Sequence, residues 1–516
     1  MPNRPTVCFI GAGPGDPGLI TVRGAQWLGR ADVVVYDRLV HPSVLRHARP
    51  DTERIDVGRA APLGPDSDAI AYLLLEKYRE GKRVARVKWG DPFVFDDGGE
   101  EALFLHEHGV PIEVVPGIPA AVGGPAYAGV AVTYRGGGDT LTLVRGHEDA
   151  SRGTPKLDWE SLARLDGTIV FYAGPAQLPL MLSALREHGR SDEEPVALIY
   201  DATLTTQQTI AGTLGSLAQA SLPSQQRPAI VVVGRVAALR DHLRWFDVRP
   251  LFGRRVVVTR PREHAQELVD LFEEQGAEVI QAPSVRITAA TDDTPLDQAC
   301  ANIASYNWVV LPSSASADVF LRRLLGGPGD IRSLSHVGIC AIGQATSDRF
   351  TALGVKPDVA LAEYRPGSIA DALSGVRSLA GSRVLVLHVE GARDVLAAEL
   401  RKGGADVAEV PAYRTVPILP GDPGEPDLYK MLLENQVDVM TFTSASTVLE
   451  YAQTFGAEAL ADLLRTTVVA CIGPVTAQAA QAHGIETAVV PDQHSIPALV
   501  AAVVRHFRNS GRSQER

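Results

Sequence analysis

Short runs of β-branched and other apolar residues alternate with Ala/Leu-rich amphipathic stretches along almost the whole chain. In the first half the runs are VCFIGAG, ADVVVYD, RVARVKW, TLTLVRG, GTIVFYAG, PVALIY and AIVVVGRV. In the second half they are VVVTRP, WVVLPSS, GICAIG, RVLVLHV, DVMTFTS and VVACIG. Short apolar runs bounded by turn residues read as strands, and strands alternating with helical stretches predict an α/β fold with largely parallel sheets. After Val236 the alternation lapses through HLRWFDVRPLFG and resumes at Arg254. This predicts a first domain over 1–245, a linker over 246–252 and a second domain over 253–505. RNSGRSQER has no apolar period, so 506–516 is expected to be a frayed tail.

The second half repeats itself. GRRVVVTRPREHAQELVDLFEEQGAEVIQAP, from Gly253, matches GSRVLVLHVEGARDVLAAELRKGGADVAEVP, from Gly381, and Gly276/Gly404 and Pro283/Pro411 keep the spacing. VVLPSSAS matches VMTFTSAS, and AIGQAT matches CIGPVT, at nearly the same offset. Two related α/β units follow from this, not one long domain.

Totals narrow the field of functions. A chain of 516 residues exceeds one compact core, and 45% hydrophobic with 21% charged residues is ordinary for a soluble globular protein. A net charge of −12 without a dense Lys/Arg stripe argues against a nucleic-acid partner. No apolar run reaches the roughly 20 residues of a membrane helix, so no membrane partner is expected. The start, MPNRPTVCFIGAG, has no secretory pattern. Cys8, Cys300, Cys340 and Cys471 have no CxxC spacing and read as buried thiols in a cytoplasmic protein.

Four turns in the second half close a strand and open a helix: PSSASADVF, IGQATSDRF, TSASTVLEY and IGPVTAQAA. Ser and Thr there cap free backbone N–H groups, and helix N-termini at the carboxyl ends of parallel strands attract anions. Simple capping explains any one turn. Four together suggest a cleft for a multiply anionic ligand, held by amides more than by Lys or Arg. No Cys/His metal cluster, no nucleophile with an evident base and no Walker loop is present.

With VVVTRP, PAYRTVP, TFTSAS and the two IGxxT turns in this order, residues 253–505 resemble uroporphyrinogen-III synthase. The resemblance implies two Rossmann-like lobes, one of about 253–284 plus 418–505 and one of about 289–411. APSVRI and PAYRTV would join them. It implies cofactor-free closure of hydroxymethylbilane with inversion of the last pyrrole, through an azafulvene cation and a spiro intermediate. Tyr413 matches the implicated tyrosine, a donor to the leaving hydroxyl. Ser444 and Thr476 match positions near the substrate. Thr259, Arg260, Ser313, Ser314, Gly343, Thr346, Ser446 and Gly473 complete the expected substrate-binding set.

In the first half, IGAGPGDPGLIT fails as a dinucleotide loop, because Asp16 stands where a third glycine would. With ADVVVYDRLV, WGDPFVF, VVPGIPAA, GTIVFYAG and PAIVVVGRV in order, residues 5–240 resemble the S-adenosylmethionine-dependent uroporphyrinogen-III C-methyltransferases. That family is two-lobed and usually dimeric, so a homodimer through this domain is implied. S-adenosylmethionine would lie against Pro14, Gly90, Asp91, Val94, Ala120 and Ala173, and Asp37 matches the proposed proton acceptor. The departures from the family pattern are Trp89 for glycine, Asp97 for arginine, Arg59 for lysine, Pro119 for Thr or Ser, Tyr134 for histidine and Ala173 for methionine. Six exchanges around one site read as relaxed constraint on methyl transfer. The carboxylates of KWGDPFVFDDGGEE (Asp91, Asp96, Asp97, Glu100, Glu101) read as a solvated acidic face. The expectation is a synthase joined to a methyltransferase-like domain with a remodelled site. The competing readings are a bifunctional enzyme that also makes precorrin-2, and a non-catalytic tetrapyrrole-binding module.

Overall fold

The apolar runs become strands of four sheets. The computed structural model describes residues 5–49, 51–58, 67–146, 155–220, 228–327, 329–361, 367–391, 395–419, 421–422 and 424–514; Arg59 lies outside them. The chain divides into two compact units. One comprises Met1–Arg255, Phe272–Glu278 and Val504–Arg516, the other Val256–Leu271 and Val279–Val503.

The first sheet of the first unit runs Glu53–Asp56, Val33–Tyr36, Arg83–Lys88, Thr6–Gly11, Ile112–Val115, with every pair parallel. Val7 and Phe9 face one apolar cluster while Cys8 and Ile10 face another, which is why the central strands read as unbroken apolar runs. The second sheet runs Leu141–Arg145, Thr168–Ala173, Ala229–Val233, Pro195–Tyr200, Gln208–Thr213. Its first pair is parallel and the other three are antiparallel, which corrects the expectation of parallel sheets. Pro195–Tyr200 and Gln208–Thr213 form a hairpin whose connection is too short for a crossover helix. Positive φ at Asp201 (45°) and Thr203 (69°) accompanies the reversal.

The segment expected as a linker is packed. Phe246 and Leu251 are buried, and the Phe246 ring meets Tyr127 edge-on at 4.7 Å. The expected tail is corrected too, because helix Ile496–Gln514 runs through most of it. Its apolar period extends through Val503 and Val504 to Phe507, whose ring lies 4.9 Å from the Arg254 guanidinium.

In the second unit, save Arg255 and Glu278 at its border, one sheet runs Glu278–Gln281, Arg255–Val258, Val439–Phe442, Val468–Cys471. The other runs Val285–Ala289, Asp406–Pro417, Arg383–Val389, Trp308–Leu311, Gly338–Ile342, Val359–Leu361. Val285–Ala289 pairs antiparallel with the far end of Asp406–Pro417, so the two segments read as connectors form one ribbon with Ala289 opposite Tyr413. The repeat has a backbone cause. Gly253 and Gly381 hold φ of 76° and 73°, and Gly276 and Gly404 hold 90° and 89°, a region that side chains with a Cβ avoid. Among the described residues no helix is long and apolar enough to cross a membrane.

Candidate functional site

In the second unit the four turns open helices Ser314–Gly326, Gln344–Thr351, Ala445–Phe455 and Pro474–Ala482. Ser313 and Ser444 are true caps, accepting from the N–H of Ser316 (3.1 Å) and Thr447 (3.2 Å). Gly343 and Gly473 occupy the equivalent positions without a side chain, so the first N–H groups of those helices have no side-chain cap. A Cβ at Gly473 would lie 3.1 Å from the ring of His494, a neighbour that the sequence reading missed.

Tyr413, on Asp406–Pro417, is brought to one of these turns. Its hydroxyl lies 3.2 Å from Ser313 Oγ, and either can donate. Ser313 in turn donates to Ser316 Oγ at 3.3 Å. Burial pushes the Tyr413 phenol above its ordinary value, against the opposing effect of Ser313, so it carries its proton at neutral pH. Ser444 gathers the hydroxyls of Ser446 (3.0 Å) and Thr447 (2.8 Å), and Ser446 is exposed. Ser314 is half-buried and Thr476 is buried. No hydrogen bond joins Tyr413 to Ser444 or Thr476 among the described residues.

Two expected substrate hydroxyls point inward instead. Thr259 is fully buried and donates to the Thr441 carbonyl at 2.7 Å, tying adjacent strands together. Thr346 donates to the Ile342 carbonyl at 2.7 Å, the usual i−4 bond of a threonine in a first helical turn. Arg260 differs. Burial lowers its pKa, with Glu267 opposing, and among the described residues it makes no hydrogen bond or ion pair.

In the first unit the loops of Gly13 and Gly90 are stitched by two backbone bonds, Gly90 N to Gly13 O at 2.9 Å and Gly13 N to Gly90 O at 3.2 Å. Asp91 is used structurally, accepting from Phe93 N (2.9 Å) and Gly117 N (3.0 Å). Val94 donates its N–H to the Asp91 carbonyl at 3.3 Å, closing the same turn. Trp89 sends its indole N–H to the Pro14 carbonyl at 2.8 Å and meets the Tyr172 ring edge-on at 6.4 Å. It packs on the cluster that contains Ala120 and Tyr172, while Ala173 is buried in the adjoining core. The half-buried indole thus lies against Pro14 and the cluster of Ala120, where the methyl donor was expected. Pro119 caps helix Ala120–Tyr127 without a side-chain bond, and the Tyr172 hydroxyl accepts from Ala121 N (3.2 Å) in its place. Tyr134 is exposed.

The carboxylates read as a solvated face divide: Glu101 is buried, Asp91, Asp96 and Asp97 are half-buried and Glu100 is exposed, and two buried cations face Glu101 and Asp96. Arg86 and Lys88 are two residues apart on one strand, 1% and 2% exposed. Glu101, 1% exposed, takes Arg86 bidentately (2.8 and 3.0 Å) and Lys88 at 3.0 Å. Asp37 pairs with Arg86 at 2.6 Å and Asp96 with Lys88 at 2.6 Å. Asp97 stands at the N-terminus of helix Gly98–Glu107, a favourable place for a negative charge. Burial, aided by Asp37 and opposed by Lys88, pushes Asp96 up to about 6.

A group raised from 3.8 to about 6 lets the folded state hold a proton that the unfolded chain has lost. The stability it contributes is present below the unfolded value and disappears as pH rises through about 6. Asp96→Asn is expected to remove this downward slope, which urea unfolding at stepped pH measures.

Both halves match known families. The family Uroporphyrinogen-III synthase HemD matches residues 266–501, and Tetrapyrrole (Corrin/Porphyrin) Methylases matches residues 6–218. The Porphyrin biosynthesis protein HemD of Ruminiclostridium josui is 34% identical over 499 residues, 96% of each chain. The Uroporphyrinogen-III C-methyltransferase of Bacillus subtilis strain 168 is 37% identical over 359 residues, 68% of this chain and 73% of its own. A crystal structure of Uroporphyrin III C-methyl transferase from Thermus thermophilus, 34% identical, aligns with 45% of this chain and 94% of its own at a TM-score of 0.40. Aligned over 96% of its length with a HemD relative and matched by a family in each half, the chain belongs to the HemD family of porphyrin biosynthesis proteins, with a tetrapyrrole methylase module followed by a uroporphyrinogen-III synthase module.

Proposed function

We propose that the second unit closes hydroxymethylbilane into uroporphyrinogen III, with Tyr413 protonating the departing hydroxyl. The Tyr413–Ser313 pair at a helix N-terminus carries this reading. A buried phenol that keeps its proton is a donor, and Ser313 can turn its own proton toward the phenolic oxygen as negative charge develops there. The helix end adds a partial positive charge beside it. The C–O bond breaks with loss of water and leaves the azafulvene cation. The substituted carbon of the last pyrrole attacks it, the spiro intermediate fragments, and reclosure inverts that ring. The proton then lost from the closing pyrrole carbon returns to Tyr413, so one water leaves per ring formed. Backbone N–H groups at the helix N-termini hold the acidic arms, which makes catalysis largely a matter of register.

The test is isomer composition. Purified protein added to hydroxymethylbilane is expected to turn the product from type I, the result of closure without inversion, to type III. The same isomers with and without protein would remove the synthase reading.

In the first unit, the Trp89–Pro14 bond supports a fold retained without its methyl donor. No binding of S-adenosylmethionine by the wild type is expected in calorimetry. Trp89→Gly is expected to bind it, although removing the half-buried ring costs the unit about 2 kcal/mol, below the range for a fully buried aromatic. Trp89→Ala serves as a second variant that adds no backbone freedom. Stoichiometric binding by the wild type would favour the bifunctional enzyme.

A further inference from the structure

A second group of side chains in the second unit is unused by this mechanism. It follows the carboxyl ends of three parallel strands drawn from both sheets. Arg260 and His264 come after Arg255–Val258. Asp318 lies on the helix after Trp308–Leu311, and Arg349 on the helix after Gly338–Ile342. The Arg349 guanidinium lies 3.4 Å from His264 Nδ1, and its Nε lies 3.0 Å from Asp318 Oδ1. A guanidinium can only donate, so Nδ1 must accept, and the ring proton of the neutral histidine sits on Nε2. That Nε2–H is buried and, among the described residues, has no hydrogen-bond partner. Arg260, whose charge acts on His264, likewise makes no hydrogen bond or ion pair among the described residues.

A buried donor atom and a half-buried guanidinium, neither partnered among the described residues, are costly unless an anion meets them. We propose that Arg260, His264 Nε2–H and Arg349 form a carboxylate-binding subsite that holds one acidic arm of the substrate. Arg260 supplies a fork of donors to the carboxylate, and Nε2–H supplies a directed bond. Arg349, anchored by Asp318, sets the tautomer and adds charge. His264 is here a positioning residue, well away in sequence from Tyr413. The inference deepens the synthase reading and rests on it for the identity of the ligand.

The test uses the full-length protein with hydroxymethylbilane for turnover and uroporphyrin III, which carries the same eight carboxylates, for equilibrium binding. Arg260→Gln and His264→Ala are each expected to raise KM and weaken uroporphyrin III binding about tenfold, with kcat within about twofold. His264→Asn, which keeps an N–H donor, is expected to recover part of the loss, and Arg260→Lys serves if the glutamine variant fails to fold. Unchanged binding in both variants, or a fall in kcat with KM unmoved, would overturn the subsite. If the wild type forms no type III product, the synthase reading fails by itself. The binding comparison then decides the subsite alone.

Discussion

Tyr413→Phe is expected to slow formation of the type III product by about 10²-fold, at the low end of what a positioned general acid contributes. KM for hydroxymethylbilane should stay within about twofold, because the substitution removes one hydroxyl and leaves a buried ring of the same shape on its strand. Stability should change little. The lost partner is Ser313, whose Oγ still caps its helix by accepting from Ser316 N. This separation of kcat from KM distinguishes a proton donor from a tyrosine that merely anchors the connector ribbon, whose loss would disturb both. Ser313→Ala should have a smaller effect in the same direction, since it removes the hydroxyl that supports the phenolic oxygen. Tyr413→Phe with unchanged turnover would take the residue out of the chemistry.

Glu101→Gln is expected to destabilise the first unit by about 3–5 kcal/mol, the usual consequence of removing one partner from a buried ion pair. Glu101 is the shared partner of Arg86 and Lys88, and all three are almost wholly inaccessible. Without its charge the two cations retain Asp37 and Asp96, both nearer solvent. Four of the five tryptophans (Trp27, Trp89, Trp159 and Trp245) lie in the first unit, so denaturant unfolding followed by indole fluorescence reports mainly on it. A midpoint equal to that of the wild type would show that the cluster holds nothing together. The cluster also gives the altered loop a purpose. It fastens Asp96 and helix Gly98–Glu107 to the sheet whether or not methyl transfer occurs.

What could be read from the sequence follows burial. The central strands were legible because their residues are buried on both faces and mostly apolar. Those that went unread, Glu53–Asp56, Ile112–Val115, Gln208–Thr213, Glu278–Gln281 and Val359–Leu361, are all sheet edges, half-exposed and mixed in polarity. The helix-opening turns were legible because capping is local. Their hydroxyls were not, since a threonine in a first helical turn can face inward, as Thr346 does. The acidic stretch misled for a related reason. Carboxylates look solvated in a sequence unless their cations are noticed, and Arg86 and Lys88, alternating with Ala85 and Val87 in a central strand, were the available sign that paired acids must lie opposite. Nothing local could have joined His264 to Arg349, which come from different sheets and meet only through tertiary structure.

On the proposed function the chain makes uroporphyrinogen III, and its first module, with Trp89 against Pro14, no longer methylates that product. One assay tests both statements. The purified full-length protein receives fresh hydroxymethylbilane with S-adenosylmethionine labelled in its methyl group, and the oxidised products are separated by isomer and by label. Unlabelled type III product is the predicted result. Labelled precorrin-2 would contradict the reading of the first module, and type I product alone would contradict that of the second.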